Sequence, residues 1–170
     1  MLTDMADLLH VRGVEFEVKA LLGKGKGGYS YLVERDGTSF VIKQIHHEPC
    51  DYYTFGNKLE SELRDYKTLA DIGIKMPKML DVDHENERIL KEFIDGDTIL
   101  VLVEQGKMKE CYFSQVREMA SVLKLNNLNI DYYPTNFIPQ GDVLYYVDYE
   151  CNQYSDEWNF ENWCIKYCKK

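Results

Sequence analysis

The chain reads Ile130-Asp131-Tyr132-Tyr133-Pro134-Thr135-Asn136 and, a short distance further on, Tyr146-Val147-Asp148-Tyr149-Glu150. The first stretch places an aspartate five residues before an asparagine. The second places another aspartate directly after a short apolar segment typical of a β-strand. Phosphoryl transfer uses this kind of set, in which one Asp deprotonates a hydroxyl while an Asn and a second Asp hold magnesium on nucleotide phosphates. Asp131 is therefore a candidate catalytic base, and Asn136 and Asp148 are candidate metal ligands.

A glycine-rich stretch lies upstream, in which Gly23, Gly25 and Gly28 fit the spacing G-x-G-x-x-G. Such a loop lets the backbone approach phosphate groups closely and turn its N–H groups toward them. A dinucleotide-binding turn would continue into a helix, but residues 29–34 are rich in β-forming side chains and the pair Asp36-Gly37 indicates a hairpin. The sequence therefore predicts a glycine flap between two antiparallel strands. The alternative is a flexible loop without a chemical role.

A lysine and a glutamate between these two regions are candidates for a functional ion pair. Lys43 stands in an apolar strand-like segment, where a lysine is unusual unless its ammonium has a partner. From Lys58 to Ile72 the apolar residues recur at helical spacing, and Glu62 borders the apolar face. A strand lysine paired with a helix glutamate holds the α- and β-phosphates of a nucleotide. Taken alone, Glu62 would be an ordinary solvated carboxylate.

Taken in this order, the features resemble the protein-kinase-like superfamily over roughly residues 20–163. The resemblance implies an α+β, two-lobe protein-kinase-like fold. Its N-lobe would be a small antiparallel β-sheet within residues 1–93, and its shortened, mainly helical C-lobe would occupy residues 94–170.

The same resemblance implies ATP and Mg²⁺ as cofactors and gives each candidate residue a role. The catalytic residues would be Asp131, Lys43 and Glu62. The glycine flap and Lys43 would bind the nucleotide phosphates, while backbone groups of the hinge, at Glu92 and Ile94, would contact the base; adenine and guanine both remain open. The metal ligands would be Asn136 and Asp148.

Three departures bear on the substrate. Asn129 replaces the histidine that usually stands two residues before the catalytic Asp. Tyr133 replaces the lysine that protein Ser/Thr kinases carry two residues after that Asp. The triplet Asp148-Tyr149-Glu150 replaces Asp-Phe-Gly. An Asp-aromatic-Glu triplet is similar to choline kinase and aminoglycoside phosphotransferase-like enzymes. The implied function is transfer of the γ-phosphoryl group of ATP to a hydroxyl, of a small molecule rather than of a protein.

The shortness of the segment after Asp148 leaves three alternatives, because the sequence ends at Lys170. The chain is a reduced phosphotransferase, or a protein partner completes its C-lobe, or catalysis has been lost. A protein Ser/Thr kinase and a pseudokinase that serves as a nucleotide-binding interaction module are the functional alternatives.

Composition excludes some partners and compartments. A net charge of −9 over 170 residues argues against nucleic-acid binding, which needs surplus Lys and Arg. Acidic residues near the site, including Glu150, Asp156 and Glu161, suit a cationic acceptor. No apolar run is long enough to span a bilayer, and the acidic N-terminus does not resemble a secretory signal. The five cysteines are an odd number in a sequence without an export signal, so reduced thiols are expected. The expected location is therefore the cytoplasm.

Helix-capping residues, turn residues and the spacing of apolar residues predict the secondary structure. A short helix is expected over 3–10, strands over 14–22, 29–35 and 38–45, and the helix of Glu62 up to about Gly73. Strands over 79–83 and 88–93 precede a helix that Thr98 caps and a longer helix over 109–126. A hairpin is expected around residues 140–142 and a last helix over 156–167, with Trp158 or Trp163 packed inward.

Overall fold

Six strands of the first unit form one antiparallel sheet, and four of the five connections between consecutive strands are short. A computed structural model describes residues 7–25, 27–47 and 57–162. The six strands lie in the order β1-β2-β3-β4-β6-β5. Their bounds are β1 Leu8–Val11, β2 Val14–Lys24, β3 Gly28–Arg35, β4 Thr38–Ile45, β5 Met79–Asp83 and β6 Arg88–Glu92. Every neighbouring pair is antiparallel.

One face of this sheet carries an apolar core. Val11, Phe16, Val33, Ile42 and Leu90 are buried together there. Each lies on a different strand, and the partly buried Leu9, Val18, Tyr31 and Phe40 that pack against them are two positions away on the same strands, as expected when side chains alternate between the faces of a sheet. The paired residues Ile42 and Leu90 place the centre of this core on β4 and β6.

The other elements of the described chain are helices, one of which lies between β4 and β5, and two small sheets. The helices are α1 Lys58–Asp71, α2 Ile99–Glu104 and α3 Glu110–Leu125. The short strands are β7 Leu128–Ile130, β8 Phe137–Gln140, β9 Val143–Tyr146 and β10 Cys151–Gln153; β7 pairs with β10, and β8 pairs with β9. Single 3₁₀ turns occupy Pro134–Asn136 and Asp156–Trp158. The fold is therefore α+β with antiparallel sheets.

Two compact units can be recognised among the described residues. The first consists of residues within Met1–Ser61 and Lys78–Phe93, and the second of residues within Glu62–Pro77 and Ile94–Lys170. Most of α1 thus groups with the second unit, although the sequence bounds of 1–93 and 94–170 place it in the first. No helix among the described residues is long and apolar enough to cross a membrane.

The predicted helix caps are confirmed. Gly73, at φ +87°, ends α1, and the N–H groups of Gly73 and Ile74 donate to the carbonyls of Ala70 and Leu69. This is the pattern of a glycine C-cap. The hydroxyl of Thr98 accepts from the N–H of Val101 at the start of α2.

The predicted strands and the hairpin at residues 140–142 are also present, but the strand predicted over 14–22 continues to Lys24, with Gly23 paired to Ser30.

Both chain ends of the described region differ from prediction. Residues 8–10 belong to β1 rather than to a helix, because Arg12 and Gly13 adopt φ values of +48° and +82° and turn β1 back onto β2. Residues 3–6 lie outside the described residues. Near the other end, Asp156–Trp158 forms a 3₁₀ turn, and an α-helical turn begins only after Asn159, whose side chain accepts from the N–H of Asn162. Residues 163–167 of the predicted helix lie outside the described residues.

The aromatic residue that packs inward near this end is Phe160. It is 5% exposed and lies against Phe113 and Tyr132. Trp158 is 51% exposed, so the prediction that it packs inward is wrong. Trp163 lies outside the described residues.

The turn between β1 and β2 is held by a buried carboxylate. Asp83 accepts from the backbone N–H of Arg12 at 2.8 Å and from both the backbone and the side chain of Asn86. These hydrogen bonds, that of the Asn86 side chain foremost, lower the pKa of Asp83 to about 2. The unfolded chain binds this proton near pH 3.9, so the charged form stabilises the folded state above that pH.

We expect acid to weaken the fold through Asp83. As the pH falls from about 4 toward 2, the free energy of unfolding should lose about 1–2 kcal/mol from this group, because only the unfolded state is then protonated. Urea denaturation of wild type and Asp83→Asn at pH 6 and pH 3 measures this loss. The variant should show the smaller change, with the exposed Asp36→Asn as control; equal changes in all three proteins would contradict the assignment.

Candidate functional site

The glycine flap is a β-hairpin loop, as its sequence predicts. β2 and β3 are antiparallel, and the N–H of Gly25 donates to the carbonyl of Gly28 at 2.9 Å across the loop. Gly28 is fixed by packing, since a Cβ there would lie 2.4 Å from the carbonyl oxygen of Gln44. At Gly23 a Cβ would meet nothing within 4 Å, and at Gly25 its nearest contact would be at 3.9 Å. A side chain at Gly23 or Gly25 would therefore meet no close neighbour among the described residues.

His46 contacts the flap, although its sequence position predicts a solvated loop residue. Its N–H donates to the carbonyl of Gly27 at 3.1 Å, and its Nε2 lies 2.9 Å from the carbonyl oxygen of Gly25. The imidazole also packs against Tyr29, with ring centroids 5.1 Å apart. His46 follows β4 directly, so the end of that strand and the base of the flap are linked.

Lys43 lies in the middle of β4, where it pairs with Ser30 on one side and Ile89 on the other. Its neighbour Ile42 points into the apolar core, so Lys43 points to the opposite face of the sheet. Glu92 ends β6, and its N–H donates to the carbonyl of Lys78.

Glu62 belongs to the second unit and is 9% exposed, so it is not a solvated carboxylate. Its pairing with Lys43 stays a prediction. Ile94 is also buried in the second unit, at 4% exposed. Near it, a Cβ on Gly96 would lie 2.7 Å from the carbonyl oxygen of Pro139, so this part of the predicted hinge crosses β8 at a position that requires glycine.

Asp131 and Asn136 are brought together by a tight loop after β7. The N–H of Tyr133 donates to Oδ1 of Asp131 at 3.1 Å, and the N–H of Asn136 donates to the carbonyl of Tyr133 at 2.9 Å. The side-chain amide of Asn136 donates to the backbone carbonyl of Asp131 at 3.1 Å. Because that amide nitrogen is held on a carbonyl, the amide oxygen of Asn136 is directed to the other side. Asp131 itself is exposed, as a base that meets a substrate must be.

Asp148 is joined to the same loop through the backbone. The N–H of Val147 donates to the carbonyl of Asn136 at 2.9 Å, so the two candidate metal ligands sit on hydrogen-bonded segments. Tyr149, which is fully buried, anchors the segment from the other side. Its hydroxyl donates to the carbonyl of Pro77, and its ring lies 4.5 Å from that of Tyr66 on α1.

A buried phenol connects the two loops. Tyr146 is 0% exposed, and its hydroxyl accepts from the N–H of Asp131 at 3.4 Å and donates to the carbonyl of Glu150 at 2.8 Å. Burial raises the pKa of Tyr146 well above its usual value, and the carboxylates of Asp148, Asp131 and Glu150 act in the same direction. The hydroxyl of Tyr146 thus contacts the backbone of two acidic residues of the second unit, Asp131 and Glu150.

Sequence reasoning missed this role of Tyr146. The chain is rich in tyrosine near the candidate site. A tyrosine on an apolar strand is explained equally well by packing of its ring and by a hydrogen bond of its hydroxyl, so the sequence does not distinguish the two. The usable signal was its position, two residues before Asp148, because alternate side chains of an extended segment point to the same side.

Cys151, directly after Glu150, makes a half-buried contact with a carboxylate of α1. The N–H of Cys151 donates to Asp65 on α1 at 3.4 Å. Burial and the neighbouring Asp65 raise the pKa of the Cys151 thiol to about 12, and burial also raises the pKa of Asp65. The thiol is therefore protonated at neutral pH and has a structural rather than a nucleophilic character.

The donors at Asn136 and Asp148 fit magnesium. Mg²⁺ prefers oxygen ligands and is commonly held by one or two carboxylates together with water and substrate phosphates. One amide oxygen and one half-buried carboxylate on linked segments match that requirement. The described residues contain no cluster of three or more His, Cys, Asp or Glu side chains, which is the arrangement that a protein-only metal site would need.

Comparison with known proteins shows a partial similarity to a longer protein. No protein-family model matches the chain. Over 96 residues it is 28% identical to a probable bifunctional tRNA threonylcarbamoyladenosine biosynthesis protein of Methanococcus vannielii. The matched part is 56% of this chain but 17% of that protein, so the chain is similar to a small portion of a much longer polypeptide.

Proposed function

We propose that this protein is a magnesium-dependent phosphotransferase with a reduced protein-kinase-like fold, which moves the γ-phosphoryl group of a purine nucleoside triphosphate, taken as ATP, to a hydroxyl. Nucleotide binding is assigned to Gly23, Gly25, Gly28 and Lys43 of the first unit, with hinge backbone groups at Glu92 and Ile94. The carboxylate of Glu62 steadies Lys43. Metal binding and proton transfer are assigned to the loops of the second unit.

One observation carries the proposal: the hydroxyl of Tyr146 fixes Asp131 and the Asp148–Glu150 segment to one another. A base that removes a proton from an acceptor and a carboxylate that holds the metal must keep a constant spacing for transfer to be efficient. Hydrogen bonds of 3.4 Å and 2.8 Å from one buried phenol supply that constraint.

The chemistry of each group follows from its environment. Asp131 is exposed and has Oδ1 held by the N–H of Tyr133, so its carboxylate is oriented to accept the proton of an incoming hydroxyl. Asn136 and Asp148 would hold Mg²⁺ through one oxygen each. When bound, that ion neutralises charge on the transferring phosphoryl group and the leaving phosphate.

A small-molecule acceptor is favoured over a protein side chain. Tyr133 occupies the position of the lysine of protein Ser/Thr kinases, and Glu150 adds a carboxylate next to the metal-binding segment. Asp131, Asp148 and Glu150 together give this region a negative charge that attracts a cationic acceptor such as an amino alcohol or an aminosugar.

The proposal is tested by a transfer assay with γ-labelled ATP and magnesium. The protein is incubated with a pool of small hydroxyl metabolites, with a protein extract, and with neither. We expect label in the small-molecule pool. Label in protein only would identify a protein kinase instead, and nucleotide binding without transfer to any pool would identify a pseudokinase acting as an interaction module.

Tyr146→Phe tests the observation behind the proposal. Loss of the hydroxyl leaves the N–H of Asp131 and the carbonyl of Glu150 without this partner, at a stability cost of about 1–3 kcal/mol. We expect turnover to fall about 10- to 100-fold, because the loss of orientation adds to the barrier, while nucleotide affinity is retained.

The matched control for this variant is Tyr112→Phe. Tyr112 is 6% exposed and donates a comparable hydrogen bond to the carbonyl of Gly141. A comparison of kcat and nucleotide affinity in the two variants separates positioning from general loss of stability. Equal turnover in the two variants would contradict the role of the Tyr146 hydroxyl in positioning Asp131.

A second candidate function is participation in tRNA modification, which the similarity to the Methanococcus vannielii protein favours. The net charge of −9 disfavours direct binding of tRNA by this chain, so it would act through a protein partner. Mass spectrometry of tRNA nucleosides from cells lacking the protein tests this. Unchanged threonylcarbamoyladenosine would exclude it.

A further inference from the structure

The backbone of His46, directly after β4, is held by a buried charge. Lys58 is 8% exposed, and its ammonium donates to the carbonyl of His46 at 2.6 Å. Both residues belong to the first unit. A buried ammonium is stable only where hydrogen bonds satisfy it, and hydrogen bonds made by charged groups are the stronger ones. This contact therefore fixes the direction of the His46 carbonyl.

His46 in turn holds two carbonyls of the glycine flap. Its backbone N–H donates to the carbonyl of Gly27, and its Nε2 lies 2.9 Å from the carbonyl oxygen of Gly25. A carbonyl oxygen can only accept, so Nε2 carries the hydrogen in this contact. The ring also packs against Tyr29 of β3, so its orientation is set by packing as well as by the hydrogen bond.

The direction of these carbonyls matters for an anion at the flap. A carbonyl oxygen carries the negative end of the peptide dipole and repels phosphate, whereas an N–H group attracts it. In a trans peptide the carbonyl of one residue and the N–H of the next point in opposite directions. The Gly27 carbonyl is bound to His46, so the N–H of Gly28, a residue assigned to phosphate binding, is turned away from His46.

We propose that His46 is a positioning residue of the glycine flap and that Lys58 holds it in place; the inference rests on the proposed function and deepens it. With its two carbonyls bound to His46, the flap needs less ordering when a triphosphate binds. The base is assigned to backbone groups of the hinge and takes no part in this contact. His46 should therefore affect binding of the triphosphate and leave binding of the nucleoside unchanged.

Binding of a nucleotide and of its nucleoside, measured by titration calorimetry on the full chain, tests this without any acceptor. The ligands are ATP with magnesium and adenosine, or GTP with magnesium and guanosine where GTP binds more tightly. His46→Leu, which removes the ring donor, should weaken triphosphate binding about 3- to 10-fold, the scale of one hydrogen bond. Its affinity for the nucleoside should equal that of the wild type. His46→Gln, whose side-chain amide can still donate to a carbonyl, should restore most of the triphosphate affinity.

Lys58→Met tests the contact that holds His46. If Lys58 acts through His46, its loss should weaken triphosphate binding in the wild type and have a smaller effect in the His46→Leu background. Equal losses in the two backgrounds would contradict the role of Lys58 in holding His46.

His47→Leu is the matched control for His46→Leu. His47 is the next residue, and its Nε2 contacts the carboxylate of Glu87 rather than the flap. This variant should bind both ligands as the wild type does. Equal triphosphate affinity in the two variants, or an equal loss of triphosphate and nucleoside binding in His46→Leu, would overturn the role of His46 while leaving the proposed function intact. If the wild type bound neither ATP nor GTP, the proposed function and this inference would both fall.

Discussion

Asp131→Asn should lower the rate of phosphoryl transfer by roughly 10²–10⁴, the scale of a lost general base, with nucleotide affinity unchanged. The structure makes this substitution selective. Oδ1 of asparagine can still accept from the N–H of Tyr133, and the backbone carbonyl of residue 131 can still accept from Asn136. The loop should therefore keep its shape while the group that accepts the proton is lost.

The control for this variant is Asp142→Asn. Asp142 is an exposed aspartate of the same unit, in the turn between β8 and β9, and it is engaged through its backbone carbonyl rather than its carboxylate. It reproduces the change of one charge without touching the candidate site. Single-turnover rates and nucleotide dissociation constants for the two variants separate chemistry from binding.

Two results would contradict the role of Asp131. Full turnover in Asp131→Asn would show that another group accepts the proton. Weaker binding of magnesium and nucleotide, with an unchanged single-turnover rate at saturating nucleotide, would make Asp131 a metal ligand instead of a base. Both are distinguishable because turnover and affinity are measured separately.

Local signals explain why so much of the secondary structure could be predicted. The hairpin between β3 and β4 follows from Asp36-Gly37, because both residues adopt positive φ, at +52° and +77°, as a two-residue hairpin turn requires. The end of α1 follows from Gly73, and the start of α2 follows from the hydroxyl of Thr98. Each of these signals operates within a few residues of the chain.

The elements that sequence reasoning missed depend on distant residues. β1 forms because Arg12 adopts a left-handed conformation, which is held by Asp83 far along the chain. β7 and β10 have three residues each, too few for a periodic pattern, and exist because they pair with each other. Asn159, and not Asp156, caps the last helical turn, although both residue types are good caps.

In the candidate site, too, local contacts could be predicted from the sequence and contacts between distant residues could not. Spacing along the sequence predicted that Asp131 and Asn136 share a loop, and the hydrogen bond between the Asn136 amide and the carbonyl of residue 131 agrees with that. The contribution of Tyr146 could not be predicted, because it depends on burial of its hydroxyl beneath two loops. The contact of His46 with the flap likewise depends on how β4 ends beside it.

Asp148→Ala should abolish the stabilisation of the protein by magnesium and nucleotide. At a ligand concentration ~100 times the dissociation constant, binding stabilises the folded state by about 2.7 kcal/mol. For a chain of this length that corresponds to a rise in melting temperature of roughly 5–10 °C. The wild type should show this rise with millimolar magnesium and either ATP or GTP, and should lose most of it when EDTA removes the metal.

The physical reason lies in the small number of protein ligands. If Asn136 and Asp148 supply one oxygen each, Asp148 is the sole protein carboxylate on the metal, and the remaining ligands are water and phosphate. Without the Asp148 carboxylate, the magnesium ion is held only weakly. Without that ion, no positive charge neutralises the triphosphate in a region where Asp131 and Glu150 are also negative. The nucleotide should then be repelled as well as unsupported.

Comparison of Asp148→Ala with Asp131→Asn decides between the assigned roles, because both variants remove one negative charge from the same loops. We expect the melting-temperature rise to disappear in the first variant and to persist in the second. A rise that survives in Asp148→Ala would place the metal on other residues. No rise in the wild type with either nucleotide would remove the nucleotide site, and with it the reason for the arrangement of Asp131, Asn136 and Asp148 around Tyr146.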